Sequence, residues 1–86
     1  MLEELNQRAQ SYIQTNQLQL ARQLLMEIIS NYPESISALN DLAVVEIMEG
    51  KYESGMELLN EVLNADPNNE VASGNINYVK EVLAKR

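Results

Sequence analysis

Six serines, Ser11, Ser30, Ser35, Ser37, Ser54 and Ser73, are the side chains of this 86-residue chain best suited to nucleophilic attack. Each would need a base to take its proton. The chain contains neither histidine nor cysteine, which removes the commonest general base, the thiolate nucleophile and the imidazole and thiolate metal ligands. Only a lysine could activate a serine, and nothing in the spacing sets Lys51 or Lys80 beside one. Gly50, Gly55 and Gly74 are scattered, so no glycine-rich loop exists to cradle a phosphate. Glu49, Glu53, Glu57 and Glu61 recur every four residues, a ridge that could attract a cation or form the solvated face of a helix. Carboxylates on one straight helix diverge too far to surround a metal without further oxygen ligands. The pattern points away from an enzyme, and no catalytic residue, cofactor or metal is expected.

Composition bounds the remaining possibilities. Thirteen acidic against six basic residues give a net charge of −7, which repels phosphate backbones and anionic headgroups, so nucleic acid and membrane are not expected partners. No apolar run is long enough to span a bilayer, and Met1-Leu2-Glu3-Glu4 is acidic where a signal peptide would be basic, so the expected address is cytoplasmic. A chain of this length supports one domain, residues 1–86, and buries only about 60% of its unfolded surface.

The elements that carry these residues repeat. A shift of 34 residues superposes Leu5 on Leu39, Asn6 on Asn40, Ala9 on Ala43, Ile13 on Ile47, Leu24 on Leu58, Leu25 on Leu59, Glu27 on Glu61 and Pro33 on Pro67. Within each unit apolar residues step by three and four, as in Leu18, Ala21, Leu25 and Ile28, which is a helical spacing. Asn16 and Gly50 fall where a first helix must stop and tolerate the left-handed conformation that ends it. Pro33 and Pro67 close the second helices, and Ser35 and Asn69 can cap the next ones. The spacing predicts five helices, over 2–14, 17–31, 36–49, 52–65 and 70–85. Met26, Met48 and Met56 sit at helical spacing and are read as core gap-fillers.

A 34-residue helical hairpin closed by proline resembles the tetratricopeptide repeat. Residues 2–35 and 36–69 form two units and 70–86 a capping helix or the first helix of a third. Leu5 and Leu39 stand where the family often has a large aromatic, Ala9 and Ala43 at its small position, Tyr12 at its tyrosine, and Ala21 or Gly55 at the small position of the second helix. Arg8 and Glu46 depart from the pattern. The resemblance implies an all-α fold of antiparallel hairpins stacked as a short right-handed solenoid, with the first helices lining a concave groove. Function would be protein–protein interaction, a peptide or helix of a partner lying in that groove.

Carrying the groove positions over gives Asn6, Gln10, Ile13, Asn40, Val44, Ile47 and Tyr78 as the binding strip, of which Val44 and Ile47 could equally be core. Where some members of the family grip a terminal carboxylate, this chain has Asn6, Gln10, Asp41, Val71 and Asn75. None is cationic, so a neutral or basic ligand is expected rather than an acidic one. The last helix carries a second apolar stripe, Val71, Tyr78 and Val82. That stripe suggests a homodimer interface or the contact face for a further helix in a longer protein, an alternative in which the segment is structural and attached to an enzyme such as a glycosyltransferase.

Overall fold

Each helix begins and ends where the sequence supplies the chemistry for it. The computed structural model describes all 86 residues and contains five helices: α1 (Leu2–Gln14), α2 (Leu18–Asn31), α3 (Ile36–Met48), α4 (Tyr52–Ala65) and α5 (Glu70–Ala84). Asn16 and Gly50 adopt left-handed φ values of 60° and 79°. Past each of them the chain folds back, the Gln17 N–H donating to the Tyr12 carbonyl at 2.7 Å and the Lys51 N–H to the Glu46 carbonyl at 2.8 Å. These bonds satisfy carbonyls that the helix end would otherwise leave open. Pro33 and Pro67 lie in the turns between hairpins, and two residues on, Ser35 Oγ and Asn69 Oδ1 accept from the N–H groups of Ala38 and Ala72. Helices α2, α3 and α5 are each one residue shorter than the spacing predicts, α2 at its start and the other two at their ends.

Helices α1 and α2 form one antiparallel hairpin and α3 and α4 the second, with α5 laid against α4 and α3. The first helices also touch along the stack, α1 to α3 and α3 to α5, and α2 packs on α3, whereas the backbones of α2 and α4 stay apart. Two apolar clusters result, and α3 belongs to both. Ala38 and Val45 join Ala9, Ala21, Leu25 and Ile28 of the first hairpin. Leu39 and Ala43 join Leu59 and Val62 of α4 and Ala72 and Ile76 of α5. A helix covered on two sides must be apolar over most of its circumference, and α3 accordingly lacks a clear polar face. No helix is long and apolar enough to cross a membrane.

Both departures from the repeat pattern find their reason here. Arg8 is exposed and leaves the core to its neighbours. Glu46 is only 6% exposed, and its carboxylate accepts from the Arg22 guanidinium on α2, which also pairs with Glu49. An ionic link between hairpins thus takes the place of an aromatic. Glu49 is drawn out of the expected acidic ridge into this pair, while Glu53, Glu57 and Glu61 remain exposed along α4. The methionine reading is corrected as well. Met26 and Met48 are exposed, and only Met56 packs against the second cluster.

Removing one partner of a buried pair strands the other without its compensating charge. Arg22→Leu is expected to lower unfolding free energy by about 3 kcal/mol. The double change Arg22→Leu with Glu46→Leu should recover most of that loss. Urea denaturation of both variants checks this, and equal losses in the single and double variants would contradict it.

Candidate functional site

The first helices α1, α3 and α5 stand side by side and present one face of the stack. On that face, between α3 and α5, lies a cavity of about 410 Å³ lined by Val44, Ile47 and Met48 of α3, Tyr52 at the start of α4, and Asn75 and Tyr78 of α5. Five of these six side chains are apolar or aromatic, and Asn75 supplies one amide to orient a ligand. Hollows of about 490 and 510 Å³ lie on either side of the turn at Pro33, and none of the expected strip residues lines either one.

Local packing fixes the floor of the cavity. Gly55 lets α4 approach α3 so closely that a Cβ there would stand 2.9 Å from Ile47 Cγ1 and 3.3 Å from the Ala43 carbonyl oxygen. Ile47 is therefore held from behind by a neighbouring backbone. Tyr52 is held from the other end of the chain, the Arg86 guanidinium lying 5.1 Å from its ring centroid, within the range of a cation–π contact. Tyr78 is 54% exposed and free to meet a ligand with both ring and hydroxyl.

Of the expected strip, Val44, Ile47 and Tyr78 come together in this cavity. Asn6 and Ile13 are half-buried on α1, Ile13 packing against the first cluster, and Gln10 is exposed. Asn40 is corrected from a groove residue to a seam residue. It is 7% exposed, and its side-chain amide donates to Asn69 Oδ1 at 3.3 Å, tying α3 to the cap of α5. Of the stripe on α5, Val71 and Tyr78 are exposed and Val82 is half-buried. The stripe thus divides, because Tyr78 turns into the groove wall.

The spacing alone missed Met48 and Tyr52 as lining residues. Met48 lies one turn beyond Val44 on the same face, a signal present in the sequence but outweighed by the general tendency of methionine to fill cores.

A model of the tetratricopeptide repeat matches residues 12–74, which is most of the chain. The chain belongs to the tetratricopeptide repeat family. No curated protein matches it. The matched span of this tetratricopeptide repeat protein runs from the end of α1 to the first turn of α5 and so includes the whole second hairpin, with Val44, Ile47, Met48 and Tyr52 of the cavity. Protein–protein interaction is the general activity of such repeats.

Asp41 is half-buried on α3 and lines none of these cavities. Burial pushes its carboxyl above the ordinary 3.8, and a hydrogen bond from the Gln10 side chain works in the opposite direction. A carboxyl with a raised folded pKa holds its proton more tightly in the native state. Its contribution favours folding fully below pH 3.8 and is lost as pH rises through the raised value. Asp41→Asn should therefore raise the melting temperature at pH 7, and the gap from the parent protein should close as pH falls below 3.8. Thermal melts across that interval check the sign, and a gap that persists at low pH would contradict the assignment.

Proposed function

We propose that this chain is a non-catalytic module that binds a peptide or helix of a partner protein in the groove formed by α1, α3 and α5. The observation that carries this reading is the cavity between α3 and α5, where three residues that the family resemblance implies for the groove, Val44, Ile47 and Tyr78, line one apolar hollow. Its volume, about 410 Å³, suits one or two apolar side chains anchored among rigid helices. The ligand is neutral or basic, because the groove side chains Asn6, Gln10 and Asp41 include a carboxylate and no cation and the chain carries a net charge of −7.

A second reading rests on the exposed apolar side chains of α5. Val71 is 59% exposed and, with Tyr78 and half-buried Val82, could join two copies as a homodimer. Light scattering distinguishes the two, since a dimer that dissociates on Val71→Glu with Tyr78→Glu would favour self-association.

For the leading reading, peptides selected from a random library against the parent protein should lose at least tenfold in affinity on Val44→Glu, with the helical circular dichroism unchanged. Undiminished binding to that variant would place the ligand elsewhere.

A further inference from the structure

The groove face of the stack is not uniform. A shift of 34 residues sets Glu3, Gln7, Gln10 and Gln14 of α1 in register with Ser37, Asp41, Val44 and Met48 of α3, and these with Val71, Asn75, Tyr78 and Val82 of α5. Positions three or four apart share one face of a helix. Val44, Met48, Asn75 and Tyr78 all line the cavity between α3 and α5, so the faces these rows occupy are the ones that bound the groove. The α1 row is polar and exposed throughout. The α3 row turns from polar to apolar at Val44. The α5 row is apolar except at Asn75, and Val71 and Tyr78 in it stand 59% and 54% exposed, while Ala72, Ile76 and Val79 on the other side of the same helix are buried.

The apolar positions therefore run along the helices and not across them. Val71 and Val82 are separated by about 16.5 Å of helix axis, with Tyr78 between them and the shorter ridge of Val44 and Met48 alongside. An extended segment crossing the groove would meet this surface at the level of Val44 and Tyr78 and leave Val71 in water. A helix laid along the valley between α3 and α5 meets both ridges, because apolar residues at i, i+3 or i+4 and i+7 recur with the spacing of the α5 row itself. Charge settles its other flanks. The three rows hold no lysine or arginine, Glu3, Glu70 and Glu81 are exposed in or beside them, and Lys85 and Arg86 lie beyond Val82. Basic side chains complement those borders. We propose, on the groove reading above, that the ligand is an amphipathic α-helix of the partner protein about three turns long, its apolar face in the α3–α5 valley and its polar flank, rich in lysine or arginine, turned to the α1 row.

The probes are the peptides selected from a random library against the parent protein. Transferred nuclear Overhauser effects should show them helical when bound, with apolar residues at helical spacing and lysine or arginine on an adjoining flank. Val71→Glu, at an exposed position outside the cavity, should cost at least fivefold in affinity with the helical circular dichroism unchanged. Bound peptides that are extended, or an affinity that Val44→Glu lowers and Val71→Glu does not, would overturn the helix and leave the groove reading intact. A library that yields no binder, or binders that neither substitution affects, would remove the groove reading and the helix with it. A parent protein that light scattering shows to be a dimer until Val71 is changed would give the valley to a second copy of the chain and would also overturn the helix.

Discussion

Helix α3 cannot be satisfied by one hairpin. It gives Ala38 and Val45 to the first apolar cluster and Leu39 and Ala43 to the second, and every other element is positioned by contact with it or with a helix that touches it. Fully buried side chains such as Leu25 and Leu59 each remove roughly 1.5–3 kcal/mol worth of apolar surface from water. Part of that gain depends on stacking, because each cluster draws residues from beyond its own hairpin. The groove follows from the same constraint, because stacking first helices beside one another leaves a face that neither second helix covers.

Polar groups at the seams give this apolar contact a single register. Arg22 joins α2 to the end of α3 through Glu46 and Glu49, and Asn40 meets Asn69, whose oxygen also caps α5 and whose amide donates to Asp66. Hydrophobic contact tolerates sliding, whereas these bonds are directional and fail if a helix rotates by one residue. The left-handed turns at Asn16 and Gly50 fix hairpin geometry in the same way, by allowing one path between antiparallel helices. The cavity between α3 and α5 is thus bounded by elements whose rotation and spacing are both specified.

The fold was legible in the sequence because each of its boundaries has a local cause. Asn16, Gly50, Pro33, Pro67, Ser35 and Asn69 act within a few residues of themselves, so their chemistry can be read without knowing the packing. The 34-residue identities then reported that the unit recurs. The site was legible only in part. Val44, Ile47 and Tyr78, groove positions implied by the family resemblance, line one cavity, but the burial of Asn40 depends on where Asn69 lies, and the role of Glu46 depends on Arg22, 24 residues away on another helix. Pairings across a seam leave no periodic trace in either partner. The exposure of Met26 and Met48 was hidden for a related reason, since methionine suits core and surface alike.

The backbones of α2 and α4 stay apart, and the two hairpins are joined through α3, on which both α1 and α2 pack. Helix α3 is the spine of the stack: α1 and α2 on one side and α4 and α5 on the other are two leaves whose backbones approach it and not each other. A peptide lying across α1, α3 and α5 would act as a splint, tying both leaves to that spine at once.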